Sequence, residues 1–199
     1  MQAAREGGGT IYIPAGEYAW LFYPALPTRF ICIWNKALQL WPLFPTAEKG
    51  YDKAEPNPHN SFPGFGHSHW KNSLIWGINL QDITISGPGN IDGKGLTREE
   101  SRRDGVGNKA ISLKECKNVT LKDLSMFRCG HFTLLATGVD NLTLNNLKVD
   151  TNRDGFDIDC CKNVRISRCS VNTPWDDAIV LKSSYALGYF KDTENVTNF

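Results

Sequence analysis

Two acidic clusters stand 22 residues apart in the second half of the chain, Asn152-Arg153-Asp154 and Trp175-Asp176-Asp177. Carboxyl groups held close together repel, so one of them keeps its proton to higher pH than an isolated Asp would. A protonated carboxyl can act as a general acid while ionised neighbours activate a water. Glycoside hydrolysis uses such a pair, and inverting enzymes separate acid from base by about 6.5–9.5 Å to admit that water. Two other uses compete: a single Asp commonly caps a turn, and several together can bind calcium. Three Asp on one spacing beside Trp175 favour the catalytic use.

The spacing matters only if the chain brings positions 22 apart together, and the surrounding sequence repeats on that interval. Lys117-Asn118-Val119-Thr120-Leu121 returns as Asp140-Asn141-Leu142-Thr143-Leu144, as Lys162-Asn163-Val164-Arg165-Ile166 and as Glu194-Asn195-Val196-Thr197, with Gln81-Asp82-Ile83-Thr84-Ile85 as a looser early copy. The asparagines fall 23, 22 and 32 residues apart. A period near 22 built of short β-type segments marks a solenoid. One period holds Leu142-Thr143-Leu144, Leu147-Lys148-Val149 and Phe156-Asp157-Ile158; the next holds Val164-Arg165-Ile166, Cys169-Ser170-Val171 and Ala178-Ile179-Val180-Leu181. Apolar residues alternate within them, and Val, Ile and Thr dominate, which suits strands rather than an amphipathic helix. The pattern predicts an all-β chain, a right-handed parallel β-helix with three short strands per turn, as one domain over residues 1–199.

Turns of such a coil stack at about 4.8 Å, so Asp154 and the Asp176/Asp177 pair are expected on neighbouring turns of one groove. The recurrent Asn is expected to form a hydrogen-bonded ladder along the axis. Asn118, Asn141 and Asn195 also fit the N-x-T glycosylation pattern, but Asn163 holds the same place without it.

The first half is less regular. Gly7 to Gly16 reads as turn, strand and turn, and Asn72 to Gly77 resumes the strand pattern. Residues 49–70 read as a long loop and residues 97–108 as a solvated one. His67-Ser68-His69 is a weak metal signal with no third ligand in sequence, and is assigned to the loop. His131, one period before Asp154, is a candidate either to line the cleft or to sit in the core.

Composition excludes several function classes. Among 199 residues, 22 Lys and Arg against 21 Asp and Glu give a net charge of +1, so neither a nucleic-acid partner nor a polybasic membrane patch is expected. No run of eighteen apolar residues offers a membrane span. The six cysteines, Cys32, Cys116, Cys129, Cys160, Cys161 and Cys169, form no CxxC pair, which disfavours a zinc ribbon. Most are expected to be buried small apolar residues.

At its acidic clusters the sequence resembles the polygalacturonases, glycoside hydrolase family 28. That family carries N-T-D, then D-D, then G-H-G and R-I-K. Asn152-Arg153-Asp154-Gly155 resembles the first, with Arg153 for Thr, and Trp175-Asp176-Asp177-Ala178-Ile179-Val180-Leu181-Lys182-Ser183 the second, with Trp175 where many members have Gly. Gly9 to Gly16 and Ile85 to Gly93 resemble its early strands. The resemblance implies inverting cleavage of α-linked galacturonic acid in pectin during cell wall degradation. Asp176 would be the general acid, and Asp154 and Asp177 would hold and deprotonate the water. Asn152, Arg153, His131 and Lys182 are the candidate substrate-binding residues. No metal or organic cofactor is implied. A monomer acting on pectic polysaccharide, extracellular or periplasmic, is expected. Two other readings stay open: a calcium-dependent pectate lyase on the same fold, and a non-catalytic carbohydrate-binding β-helix.

Two features suggest an imperfect copy. G-H-G and R-I-K would fall beyond Phe199, and Asn195-Val196-Thr197 starts a turn; the chain is therefore expected to be a fragment with C-terminal turns missing, no leader, and little hydrolase activity of its own. Residues 22–44 show no period-two strand and are rich in Trp, Pro and Phe. Synonymous codons for Trp34 to Pro42 can be chosen so that the neighbouring frame reads EQGATIVA, a family-like strand, which suggests a local frameshift.

Overall fold

The computed structural model describes residues 9–20, 29–34, 38–42, 50–62, 67–99 and 103–191. Its strands follow in chain order: β1 (Gly9–Ile13), β2 (Gly16–Trp20), β3 (Phe30–Trp34), β4 (Leu38–Pro42), β5 (Ser73–Ile78) and β6 (Gln81–Ser86). Then come β7 (Asn90–Asp92), β8 (Lys109–Lys114), β9 (Lys117–Lys122), β10 (Ser125–Phe127), β11 (Phe132–Thr137) and β12 (Asp140–Asn145). The last are β13 (Lys148–Asp150), β14 (Asp154–Asp159), β15 (Lys162–Ser167), β16 (Ser170–Asn172) and β17 (Ile179–Lys182). They build three parallel sheets, ordered β1-β3-β6-β9-β12-β15, β2-β4-β7-β10-β13-β16 and β5-β8-β11-β14-β17. Consecutive strands lie in different sheets, and from β3 onward every third strand returns to the same sheet, which is a parallel β-helix.

The register explains the repeat. Leu142 pairs with Val119 on one side and Val164 on the other, and Leu144 with Leu121 and Ile166. Each coil therefore places the same two apolar side chains inward, where Leu142 and Leu144 are fully buried. Removing one of them would cost about 2–5 kcal/mol, because stacked coils cannot close a cavity from above or below.

The Asn ladder is present: Asn163 Nδ2 donates to Asn141 Oδ1 at 3.1 Å, Asn141 to Asn118 at 2.9 Å, and Asn118 to Asp82 Oδ1 at 2.8 Å. A second reason for these residue types lies in the backbone. All four have φ between 54° and 59°, a left-handed conformation that Asn and Asp tolerate better than most side chains.

The third sheet is buried on both faces. Leu134 and Ala136 of β11 point into the coil, while Phe132 and Leu135 pack outside it with Trp70 and Ala186. The segment before β5 supplies that cover. Trp70 is fully buried and its indole N–H donates to Thr137 Oγ1 at 3.0 Å. Glu55 anchors it, accepting the Trp70 and Lys71 backbone N–H groups at 3.0 Å each.

Three expectations are corrected or refined. Within residues 22–44 the backbone forms β3 and β4, paired in parallel with β1 and β6 and with β2 and β7. Phe30 to Trp34 is an unbroken apolar run, so it showed no alternation; backbone pairing on both sides sets the strand. Cys32 takes the inward place of Ile85 and is buried, while Ile31 and Ile33 stand 41% and 38% exposed. The rest of that stretch lies outside the described residues. Residues 97–108 do not form a wholly solvated loop, for Asn108 at its end is fully buried and accepts from Lys109 Nζ at 2.5 Å. The cysteines are all free, and five of the six are buried.

Candidate active site

Asp154 is the first residue of β14, and the Thr173–Asp177 turn lies one coil away. The Gly155 and Phe156 N–H groups donate to the Asp177 and Ala178 carbonyls, both at 3.0 Å, which ties the two segments together. Gly155 makes this approach possible: a Cβ there would sit 2.3 Å from the Ala178 carbonyl oxygen. The turn is fixed by the Thr173 hydroxyl donating to the Asp176 carbonyl at 3.0 Å, and by Asp176 Oδ1 accepting the Asp177 N–H at 3.1 Å.

The three predicted aspartates are thus brought together, in different environments. Asp154 is buried at 6% exposure, Asp176 is partly exposed and Asp177 is exposed. Burial pushes the Asp154 carboxyl up to about 7, helped by the charge of Asp176, a hydrogen bond to the Asp176 carboxyl and the charge of Asp177, and opposed by Arg153. That hydrogen bond favours the protonated form of Asp154. Arg153 Nη2 meets Asp176 Oδ2 at 2.9 Å. The Arg that replaces Thr here therefore faces the acidic pair directly.

His131 is buried at 3% and still reaches the site. Its Nδ1 donates to the Arg98 carbonyl at 2.7 Å, which leaves Nε2 as the acceptor facing Arg153 Nη2 at 3.4 Å. Burial lowers its pKa, with Arg153 and Lys109 adding to the effect against the Arg98 hydrogen bond, so the ring is neutral near pH 7. Asn152, two residues before Asp154 in sequence, lines a groove of about 510 Å³ with Asp92, Phe127, Arg128 and Thr151, a lining that includes none of the three aspartates. Trp175 is 77% exposed next to Asp176.

Lys182 points elsewhere. Its Nζ lies 2.8 Å from Oδ2 of the fully buried Asp157 and also contacts His67 Nδ1. Burial drives Asp157 up, to about 8, with Asp159, Asp154 and Asp177 adding to it, and burial drives Lys182 down, to about 7. The ammonium is occupied by a buried carboxylate, so Lys182 supports the site from beneath.

Sequence reasoning missed two members of this cluster. Asp157 sits at an outward position of β14 whose partners are Leu135 and Val180; a carboxylate in an apolar stack was the available signal. His67 was assigned to the loop. The covering segment lays its ring edge-on to Phe132, with centroids 4.8 Å apart, and Nδ1 3.1 Å from Asp157 Oδ2. Ligand atoms of His67, His131 and Asp154 all lie within 4.8 Å of one another. His69, two residues on, is structural: its ring nitrogens meet the Glu55 carbonyl at 2.7 Å and Asn60 Oδ1 at 2.9 Å.

Comparison with known proteins places this geometry. The profile of glycosyl hydrolases family 28 matches residues 60–191. A polygalacturonase of Chamaecyparis obtusa is 28% identical over 145 residues, covering 64% of this chain and 26% of that protein. A polygalacturonase of Juniperus ashei is 28% identical over 148 residues, covering 62% of this chain and 29% of that protein. The chain thus spans less than a third of the length of these relatives. The crystal structure of a hyperthermoactive exopolygalacturonase from Thermotoga maritima superposes with a TM-score of 0.60 at 16% identity, covering 92% of this chain and 48% of that one. At that identity the likeness is one of fold.

Proposed function

The chain belongs to glycosyl hydrolase family 28, and from that premise we propose that its acidic corner hydrolyses α-linked galacturonic acid in pectin, with inversion at the anomeric carbon. Asp176, receiving the proton of Asp154 through their hydrogen bond, passes it to the glycosidic oxygen as the C–O bond breaks, which leaves Asp154 ionised. A water held between Asp177 and Asp154 attacks the anomeric carbon from the opposite face and passes its proton to the carboxylate that holds it. Arg153, 2.9 Å from Asp176, stabilises the carboxylate that forms as the acid ionises. Asn152 and Arg153 hold the substrate's polar groups, and neutral His131 orients the Arg153 guanidinium. Lys182 neutralises Asp157 below the site. The substrate is a pectic polysaccharide met outside the cytoplasm by a monomer.

One observation carries this reading. Asp154, buried at the start of β14, is held against the turn that carries Asp176 and Asp177 on the next coil by the Gly155 and Phe156 N–H bonds to the Asp177 and Ala178 carbonyls, both 3.0 Å, and burial together with these neighbours raises its carboxyl pKa. The test is release of reducing ends from polygalacturonate. What the reading requires is that Asp176→Asn lower the rate by about two to four orders of magnitude. A rate unchanged in Asp176→Asn would refute Asp176 as the acid. Calcium dependence with an unsaturated, ultraviolet-absorbing product would replace hydrolysis by elimination.

A further inference from the structure

We propose that His67, His131 and Asp154 form a binding site for one divalent transition-metal ion of the zinc class. The inference goes beyond the hydrolase reading and shares Asp154 and His131 with it, while His67 belongs to the metal site alone.

The geometry is the first support. Three ligand atoms from three separate segments converge within 4.8 Å of one another, a spread that modest side-chain adjustment closes onto one ion with Zn–N and Zn–O bonds of about 2.0–2.2 Å. Two imidazoles and one carboxylate form a donor set suited to zinc, with water as the usual fourth ligand. Imidazole donors disfavour calcium and magnesium, which prefer all-oxygen sites.

The second support is the outer contacts of the two rings. Metal-ligating His residues usually donate their other ring N–H to a backbone carbonyl or a carboxylate, which fixes the tautomer and aims the lone pair. Both rings have such a partner: His131 Nδ1 lies 2.7 Å from the Arg98 carbonyl oxygen, and His67 Nδ1 lies 3.1 Å from Asp157 Oδ2. Lys182 Nζ also meets His67 Nδ1; with that ammonium turned to Asp157 Oδ2, 2.8 Å away, Nδ1 of each ring keeps its proton and Nε2 is the atom left for an ion. Charge is the third support. Asp154, Asp176 and Asp177 gather at one corner, where Arg153 meets Asp176, and a dication adds positive charge among them. Arg153 Nη2, 3.4 Å from His131 Nε2, must swing away, and its bond to Asp176 gives it a place to stay.

An ion there would hold Asp154 and occupy the water's position, so it would block hydrolysis. The direct test needs no turnover. Zinc chloride is titrated calorimetrically into the 199-residue chain, and into His67→Gln, His131→Gln and, as a control, His59→Gln, which lies outside the cluster. One saturable zinc per chain is expected, weakened about tenfold or more in the first two variants and unchanged in the third. No saturable binding, or binding equally tight in His67→Gln, would overturn the proposal. Should His131→Gln lose its far-ultraviolet circular dichroism, His67→Gln decides alone, since His67 lies outside every strand. Cobalt(II) gives an independent reading: an intense visible band from a low-coordinate site with nitrogen ligands is expected, and a weak aquo-like spectrum contradicts it. A chain that cleaves pectate but binds no zinc would sink this inference alone, and one that binds zinc but not pectate would sink the hydrolase reading alone.

Discussion

At the edge of the first sheet, Asn163, Asn141, Asn118 and Asp82 stack one per coil and pass hydrogen bonds down the axis at 2.8–3.1 Å. At the start of the third sheet, Asp154 meets Asp176 and Asp177 across the same interval, and its proton is held to about pH 7. The stacking is alike in both places and the chemistry is not. An amide carries both donor and acceptor, so identical residues on successive coils satisfy one another. Ionised carboxylates only accept, so stacking them requires a proton or a cation, and this corner recruits both, the proton of Asp154 and the guanidinium of Arg153. A repeat that places polar groups in register is inert where the groups are self-complementary and reactive where they are not.

Substitutions at the two corners test that contrast, and the largest effect belongs to the acidic one. Asp176→Asn should cut hydrolysis by about two to four orders of magnitude. Its unfolding free energy should stay within about 1 kcal/mol of the parent, since the partly exposed pair with Arg153 contributes little; urea unfolding measures this.

Next in size is a pH effect. Asp154 ionises at about 7 in the folded chain and at about 3.9 when unfolded, so its ionisation opposes folding. Its favourable contribution is full below about pH 4, declines as pH rises, and is gone above about pH 7. Asp154→Asn should remove that part of the slope when Tm is followed across this range with a chelator present. A slope identical in both proteins would show that Asp154 keeps an ordinary pKa. Hydrolysis by the parent chain should fall over the same window as the Asp154 proton leaves.

The ladder corner should respond in stability alone. Asn141→Ala removes two exposed hydrogen bonds and forces Ala into φ 59°, at a cost of about 1–2 kcal/mol. Asn141→Gly loses the same bonds but relaxes the backbone, and should cost less than Ala does. Gly costing more than Ala would mean that the left-handed φ is unimportant.

Much of this was legible because a solenoid writes its structure as a period. The interval between Asn118, Asn141 and Asn163 gave the coil, and the coil gave the meeting of Asp154 with Asp176 and Asp177. What escaped depends on non-periodic chain. His67 belongs to a covering segment whose path follows from Trp70 filling a pocket over Phe132 and Leu135, and no local pattern encodes that. Lys182 has the residue type for a substrate carboxylate, yet the buried Asp157 beneath it takes its charge. Phe30 to Trp34 lacked alternation because every residue in it is apolar, and only its neighbours' backbone made it a strand.

The most direct measurement of the central claim is the anomeric configuration of the first product, read by proton NMR during cleavage of an α-linked galacturonate oligomer. The account expects the β-anomer at the new reducing end, appearing before mutarotation and vanishing with Asp176→Asn. An initial α-anomer, or an unsaturated sugar in place of a hydrated one, would contradict it.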